Sequence, residues 1–229
     1  MLIPSFGRGG GTSTDSIISG TLVIPASQES SYANNPGHIE LIPDDRDGSV
    51  AKKRNACLDL CDPGELVWLI DDDLKRVDWI KHGPVDDVDQ LLESHADLMD
   101  SIGADFGGFA ITADPVRYIE QRPFSLTKPS YGAVCIRNTG LRYDEALSRH
   151  EDADYFLQVL HSGGKVIRDN RFFFTFDCNA DKQKKQVGGI VGTESDHRAA
   201  LGLLVKRWGK RIKIKDGKMN GIDTPRRGP

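Results

Sequence analysis

The stretch Val67-Trp-Leu-Ile-Asp-Asp-Asp-Leu74 places four large apolar residues directly before three consecutive carboxylates. A short apolar run of this kind predicts a strand that is buried on both faces. Ligands of open α/β sheets bind beyond the carboxyl ends of the strands. We therefore expect Asp71, Asp72 and Asp73 to lie at a ligand-binding edge, with Asp71 and Asp73 on the same side of the strand.

Two carboxylates on one side of a strand repel each other unless a cation lies between them. Mg²⁺ and Mn²⁺ are commonly held by one or two carboxylates together with substrate phosphates. The acidic run therefore favours a divalent metal and a phosphorylated ligand. The alternative is an acidic turn that only ends the strand, and the three aspartates alone do not distinguish the two.

The composition is typical of one globular α/β domain. The chain has 229 residues, of which 38% are hydrophobic and 28% charged, and this length can bury one good core. No apolar run has the length of a membrane span and the N-terminus lacks signal-peptide features, so we expect a cytoplasmic protein. The four cysteines contain no Cys-x-x-Cys pair, which favours free thiols. They are Cys57, Cys61, Cys135 and Cys178.

Charge is distributed unevenly along the chain. Residues 1–150 contain 14 Lys and Arg against 24 Asp and Glu, whereas residues 151–229 contain 16 against 10. A basic face on an acidic protein attracts polyanions such as DNA, and a solvated tail is the alternative. We expect a single domain over residues 1–209, followed by a basic and partly disordered extension over 210–229.

Hydrophobic patterns predict alternating strands and helices. Strands are expected at 2–3, 21–25, 38–43, 66–70, 107–112, 131–137, 165–167, 172–176 and 211–215, and helices near 49–61, 86–102, 151–161 and 195–208. The first strand–helix–strand unit predicts a Rossmann-like α/β fold. His95 falls on an apolar helix face and is expected to pack in the core. The polar segment 177–193 is a candidate lid.

A second acidic cluster, Arg149-His-Glu-Asp-Ala-Asp-Tyr155, opens a predicted helix. Acidic residues are favoured there by the exposed N–H groups and the helix dipole, so capping explains one of the three acids. A carboxylate in the first turn is also well placed to accept a proton from an incoming hydroxyl group. The pattern leaves both capping and catalysis open.

Two further segments carry groups that bind phosphates or nucleotides. The loop Pro4-Ser-Phe-Gly-Arg-Gly-Gly-Gly11 follows the first strand, and its glycines and Arg8 could approach phosphates, although it is not a Walker loop. On the helix before the acidic strand, Arg54 and Asn55 could face a nucleotide. The preceding lysines, Lys52 and Lys53, are expected to form a solvated face.

These motifs resemble, in their order along the chain, those of the GT-A glycosyltransferases. They are Pro-Ser-x-x-Arg after the first strand, Arg-Asn on a helix, Asp-x-Asp at a strand end and Glu-Asp at the start of a later helix, over about residues 2–176. More narrowly, residues 141–156 with the following Gly163-Gly-Lys-Val-Ile167 are similar to phage glycosyltransferases associated with TET-type hydroxylases. The resemblance implies a GT-A fold with a mixed, mostly parallel sheet flanked by helices.

The resemblance also implies roles for individual positions. Asp71 and Asp73 would hold Mn²⁺ or Mg²⁺, and Asp152 would act as the general base of an inverting enzyme. The implied nucleotide-sugar-binding positions are Pro4, Ser5, Arg8, Arg54, Asn55 and Asp72, and the implied acceptor or sugar pocket comprises Gly107, Gly108 and Glu151. GT-A enzymes often supply a late His to the metal, and here Asp177 is the substitute that the sequence offers.

The implied activity is metal-dependent transfer of a sugar from a nucleotide-sugar, in particular a UDP-sugar, to a hydroxyl group. The implied acceptor is 5-hydroxymethylcytosine in phage DNA, and the implied location is then the host cytoplasm. Three alternatives remain open: a GT-A transferase that acts on a glycan or small molecule, an inert GT-A binding module, and a metal-dependent nuclease or nucleotidyltransferase. The last would leave the Glu-Asp helix and the Gly-rich loop without a role.

Overall fold

The computed structural model describes residues 1–8, 11–35, 37–111, 118–177 and 194–224. Within these ranges the strands are β1 (Leu2–Pro4), β2 (Thr21–Pro25), β3 (His38–Ile42), β4 (Leu66–Ile70), β5 (Leu74–Trp79), β6 (Gly83–Pro84), β7 (Phe106–Ala110), β8 (Phe124–Ser125), β9 (Ala133–Arg137), β10 (Val166–Phe176), β11 (Ile212–Lys215) and β12 (Lys218–Ile222). The α-helices are α1 (Val50–Asp59), α2 (Val88–Ile102), α3 (Glu151–His161) and α4 (Glu194–Trp208).

In the described part of the chain, ten strands form one mixed sheet in the order β3-β2-β1-β4-β9-β7-β10-β5-β6, with β8 also paired to β10. Strands β3, β2, β1 and β4 are parallel to one another, as are β7 and β10. Strands β9, β5 and β8 run opposite to the other seven. The predicted α/β class with a mixed, mostly parallel sheet is confirmed.

Strand β4 is buried on both faces, as its unbroken apolar run predicts. Val67 and Leu69 pack in the core cluster that contains residues of α1, α3 and α4. Trp68 and Ile70 point to the opposite face and pack with residues of α2. Helices therefore cover both sides of the sheet. His95 of α2 is buried against Trp68, as predicted.

The helix boundaries follow local signals in the sequence. Ser49 accepts a hydrogen bond from the Lys52 amide and caps α1, and Asp87 caps α2 through the Gln90 amide. Side-chain oxygens of these types satisfy backbone N–H groups that a helix start leaves without intrahelical partners. Helix α3 has the predicted bounds, and Gly163 follows it with a positive φ.

Two parts of the sheet differ from the prediction. Strand β5 follows directly after the acidic run, so residues 71–73 form a turn between two strands and strand alternation does not set the directions of their side chains. The two strands expected at 165–167 and 172–176 form one strand, β10, which pairs first with β7 and then with β5. The charged residues between the two apolar runs gave no strand pattern, so a single strand was not predicted. In the structure Arg171 and Asp169 form an ion pair there.

The C-terminal basic segment contains a β-hairpin, because β11 pairs with β12. Ile212 is buried in the core cluster shared with α4, and Met219 and Ile222 pack against that cluster. Residues 212–222 are therefore ordered, whereas 225–229 lie outside the described residues. The candidate lid also lies outside them from residue 178 to 193, and Cys178 with it. The three cysteines that the structure describes are free, and none of its described helices is long and apolar enough to cross a membrane.

Candidate active site

The Asp turn, residues 71–73, is fixed by backbone hydrogen bonds at the carboxyl end of β4. The Asp71 amide donates to the Gly132 carbonyl oxygen at 2.7 Å. The hydroxyl group of Thr14 donates to the Asp71 carbonyl oxygen at 2.8 Å and accepts from the Leu74 amide at 3.0 Å. The turn is thus held by two segments that are distant from it along the chain, around Thr14 and Gly132.

Three of the predicted nucleotide-binding residues meet at this turn. The Ser5 hydroxyl group donates to Asp72 at 2.6 Å, and the Arg8 guanidinium pairs with the same carboxylate at 2.8 Å. Tyr32, which is fully buried, accepts from the Arg8 amide at 3.0 Å and lies 2.9 Å from the Ser5 hydroxyl oxygen. Pro4 ends β1 directly before this loop. Burial raises the pKa of Asp72, and Arg8 opposes that shift.

A buried guanidinium joins the Asp turn to the acids of helix α3. Arg54 Nη2 donates to Asp71 Oδ1 at 2.8 Å, and Arg54 Nη1 donates to Glu151 Oε1 at 3.1 Å and to Asp152 Oδ1. The Arg54 side chain is only 3% exposed. Glu151 and Asp152 are 97 and 98 positions from Arg54 along the chain, so only the fold brings them together. We call these four residues the Arg54 cluster.

The Arg54 cluster has one cation and three carboxylates. Burial raises the pKa of Asp152, and Glu151 and Asp71 raise it further, while Arg54 acts in the opposite direction. Burial likewise raises the pKa of Glu151. The Asp152 side chain is 17% exposed, and its hydrogen bond from Arg54 involves Oδ1. A carboxylate with one oxygen oriented and a raised pKa can accept a proton near neutral pH.

Asp73 is partly buried beside two other carboxylates of the Asp turn. Burial raises its pKa to about 7, with further contributions from Asp71 and Asp72. Asp177 lies close by, since its amide donates to the Asp73 carbonyl oxygen at 2.9 Å and its carboxylate pairs with Lys75 at 3.5 Å. Among the described residues, no cationic side chain forms an ion pair with Asp73. The structure thus places the three predicted metal ligands in one neighbourhood.

These residues fit a divalent cation that is held in part by its substrate. Their carboxylate oxygens are the hard donors that Mg²⁺ and Mn²⁺ prefer. A cation would also offset the repulsion from Asp71 and Asp72, which adds to the effect of burial on the pKa of Asp73. Within the described ranges, no group of three acidic, His or Cys side chains is close enough to form a ready ligand set. Asp71 is also paired with Arg54. The site therefore matches a metal held by one or two carboxylates together with phosphate oxygens and water.

Asn55 has its amide hydrogen-bonding groups directed into the protein. Its side chain donates to the Tyr143 carbonyl oxygen and to Glu145, both at 3.0 Å, and accepts from the Tyr143 amide at 2.8 Å. The residue is 4% exposed. These bonds attach α1 to the segment before α3, and a direct nucleotide contact of Asn55 remains a prediction.

Packing accounts for Gly107 and Gly108, which lie inside β7. A Cβ atom at Gly107 would lie 2.4 Å from Met99 Sδ, and one at Gly108 would lie 2.5 Å from the Ala133 carbonyl oxygen. Both positions are buried. Their role in a sugar or acceptor pocket remains a prediction, since sheet packing alone requires glycine at both.

Sequence reasoning missed several residues that support the site. Lys53 was expected on a solvated face, but it is buried because its Nζ donates to the Ser5 carbonyl oxygen at 2.8 Å and pairs with Asp47 at 3.0 Å. Tyr131 precedes the Gly132 carbonyl group that holds the Asp turn, and its pKa is raised by burial and by the charge of Asp152. Neither residue belongs to a motif, so no local signal indicated its position.

No protein-family description and no curated protein sequence matches this chain, but solved structures do. S. aureus TarS 1-349 matches with a TM-score of 0.50 and 14% identity, over 89% of this chain and 64% of that one. A longer S. aureus TarS structure matches with a TM-score of 0.48 and 13% identity, over 89% of this chain and 39% of that one. A CMP:2-keto-3-deoxy-manno-octonic acid synthetase complexed with CTP matches with a TM-score of 0.44 and 9% identity, over 74% of this chain and 88% of that one.

These likenesses concern the fold. At 14% identity the match to TarS 1-349 shows a shared fold, and the predicted fold class, a GT-A fold with a mixed, mostly parallel sheet flanked by helices, is confirmed. The chain spans 64% of the length of the TarS 1-349 chain. The resemblance to the phage enzymes stays a prediction.

Proposed function

We propose that this protein is a glycosyltransferase that moves a sugar from a nucleotide-sugar, in particular a UDP-sugar, to a hydroxyl acceptor. The Arg54 cluster carries this proposal. One buried guanidinium bonds Asp71 at the carboxyl end of β4, the edge where α/β sheets bind their ligands, and Asp152, a carboxylate that can accept a proton. The proposed donor site and the proposed base are thus adjacent, and the GT-A fold supports this interpretation.

The donor half of the site comprises the Asp turn and the first loop. Arg8 would supply positive charge for the diphosphate, and Ser5 and Lys53 hold the loop against the turn. Asp73, with Asp71 or Asp177, would hold Mn²⁺ or Mg²⁺. When bound, such an ion neutralises the negative charge that develops on the departing nucleoside diphosphate.

The acceptor half of the site centres on Asp152. Arg54 orients Oδ1, and Oδ2 receives the proton of the acceptor hydroxyl group as its oxygen attacks the anomeric carbon. The bond between that carbon and the diphosphate oxygen breaks, and its electron pair leaves with the nucleoside diphosphate. Attack from the side opposite the leaving group inverts the anomeric configuration. Glu151, held by the same guanidinium, lies beside the acceptor.

The proposed acceptor is 5-hydroxymethylcytosine in DNA, in keeping with the resemblance to the phage enzymes. A flipped base would present its hydroxymethyl group to Asp152. The exposed lysines of the hairpin, Lys213, Lys215 and Lys218, offer charge for the phosphate backbone. A glycan or small-molecule acceptor is the second candidate, because the Arg54 cluster needs only a hydroxyl group.

Mass spectrometry of DNA containing hydroxymethylcytosine tests this function. We expect the mass of one sugar to be added when the DNA is incubated with the protein, Mn²⁺ or Mg²⁺ and a panel of nucleotide-sugars, and EDTA to abolish the addition. Asp152→Asn should lower the transfer rate by about 10²–10⁴-fold while calorimetry shows unchanged donor binding. Asp100→Asn, at a 72% exposed surface position, is the control.

The outcomes separate the alternatives. Transfer to glycans but not to DNA would keep the glycosyltransferase and reject the DNA acceptor. Donor binding without transfer to any acceptor would indicate an inert binding module. Absence of donor binding with either metal would overturn the proposal as a whole.

A further inference from the structure

The third acid at the start of helix α3 has no role in the proposed reaction, yet it is completely buried. Asp154 is 0% exposed. Two positions along an α-helix correspond to a rotation of about 200°, so Asp154 faces away from Asp152 and the Arg54 cluster. A buried carboxylate is costly unless it is paired and hydrogen-bonded, and its partners therefore indicate what holds this helix.

Four hydrogen bonds converge on the Asp154 carboxylate. Arg207 Nη1 donates to both of its oxygens at 2.8 Å, Trp208 Nε1 donates to Oδ1 at 2.7 Å, and Gln158 donates to Oδ2 at 2.7 Å. Arg207 and Trp208 are the last residues of helix α4. We call this contact the α4 clamp. It joins the end of α4 to the first turn of α3, two residues from the proposed base.

The same arginine is also linked to helix α1, which carries Arg54. Arg207 Nη2 donates to Asp144, whose neighbour Tyr143 bonds through its backbone amide and carbonyl group to the side chain of Asn55. Asn55 is adjacent to Arg54 in α1. Arg207 is therefore bonded directly to α3 and through one short segment to α1, the two elements that carry Asp152 and its guanidinium partner.

We propose that Arg207, with Trp208, is a positioning residue: acting through Asp154 and Asp144, it fixes the Asp152 carboxylate against Arg54. This inference rests on the proposed function and extends it to helix α4, where no sequence motif indicated a role. Displacement of a catalytic group by about 1 Å can slow a reaction about a hundredfold. The clamp limits such movement because Arg207 Nη1 bonds both oxygens of Asp154 and the Trp208 indole N–H bonds one of them.

Amide hydrogen exchange of the intact protein tests the clamp without reference to activity. Trp208→Phe removes one donor and keeps an aromatic ring, and we expect the hydrogen-bonded amides of residues 154–157 to exchange about tenfold faster. Arg207→Met should have a larger effect, and Arg207→Lys an intermediate one, because lysine is a point charge and cannot bond both carboxylates as a fork. Amides of α2 should be unchanged.

Matched controls separate the clamp from general loss of stability. Arg198→Met removes an exposed cation from the same helix, and Trp79→Phe alters a half-exposed indole on β5. Neither should alter exchange at 154–157. Unchanged exchange there in both Trp208→Phe and Arg207→Met would overturn the inference, as would an equal acceleration throughout the domain. If Arg207→Met fails to fold, Trp208→Phe decides the question.

A kinetic measurement tests the positioning role itself. In Trp208→Phe and Arg207→Lys we expect kcat to fall about 10–100-fold with the donor KM within about twofold of the wild-type value. A change in donor KM alone, or no change in either constant, would contradict the inference. The exchange result does not depend on sugar transfer, so a wild-type protein without transferase activity would defeat the proposed function and leave the clamp measurable.

Discussion

Helix α3 is bonded by one arginine on each side, Arg54 and Arg207. The two differ in how many carboxylates each one must neutralise. Arg207 bonds the buried Asp154, which has further neutral donors, and it also bonds Asp144. Arg54 bonds three carboxylates at once, and the pKa of Asp152 stays raised in spite of it. The first arrangement is a satisfied network that fixes position. The second has the larger excess of negative charge, three carboxylates against one cation, which is typical of sites that bind cations or transfer protons.

The largest effect should follow the loss of Arg54. Arg54→Met leaves three clustered carboxylates without their cation, and we expect a loss of stability of about 3–5 kcal/mol. The midpoint of thermal unfolding should fall by about 10 °C or more. Arg46→Met, which removes a half-exposed partner of Asp59, should cost no more than about 1 kcal/mol.

A double variant distinguishes loss of charge from loss of packing as the cause of this destabilisation. If the charge imbalance causes the loss, Arg54→Met combined with Asp152→Asn should be more stable than Arg54→Met alone. Equal stability of the two would mean that packing of the guanidinium, and not its charge, holds the cluster.

A smaller effect should appear at Asp73, with a defined dependence on pH. An unfolded aspartate ionises near its ordinary value, whereas folded Asp73 keeps its proton up to about pH 7. The folded state therefore loses stability as the pH rises from about 4 to about 7. In metal-free buffer, Asp73→Asn should raise the free energy of unfolding by about 1–2 kcal/mol at pH 8 and should not change it at pH 4.

Thermal unfolding of Asp73→Asn and of Asp100→Asn at both pH values checks this expectation. Asp100 is largely exposed, so its variant should change the stability little at either pH. If Asp73→Asn stabilises the protein as much at pH 4 as at pH 8, ionisation of Asp73 is not the cause.

The smallest effect in this series concerns the hairpin. Replacement of Lys213, Lys215 and Lys218 by Gln should weaken binding to duplex DNA and lower the slope of log affinity against log salt by about 2–3. Lys81→Gln with Lys128→Gln, at exposed positions elsewhere, is the control pair. An unchanged slope in the hairpin variant would exclude the hairpin as the DNA-binding surface.

Local patterns in the sequence were sufficient for the elements that carry the site. The unbroken apolar run of β4 and the acidic start of α3 predicted both elements with their bounds. Their convergence was expected from the GT-A resemblance, and the Arg54 cluster supplies its geometry. By contrast, the alternating charges of β5 gave no apolar run, and its strand became visible only through its pairing with β10.

Residues that act through distant contacts could not be predicted. The position of Lys53 depends on the Ser5 carbonyl group 48 positions away, and that of Asp154 on Arg207, 53 positions away. A lysine on a helix and an acid in a first turn are ordinary surface residues by local criteria. Only the packing of α1 and α4 around α3 gives them their partners.

The pH dependence of transfer tests the central claim, that Asp152 in the Arg54 cluster is the base, most directly. With donor and Mn²⁺ saturating, we expect wild-type kcat to rise with pH through a midpoint well above the ordinary pKa of an aspartate, because burial, Glu151 and Asp71 raise the pKa of Asp152. Asp152→Asn should lose this rise together with the activity. A wild-type kcat that is constant between pH 5 and 9, or an Asp152→Asn protein with the wild-type rate, would contradict the account.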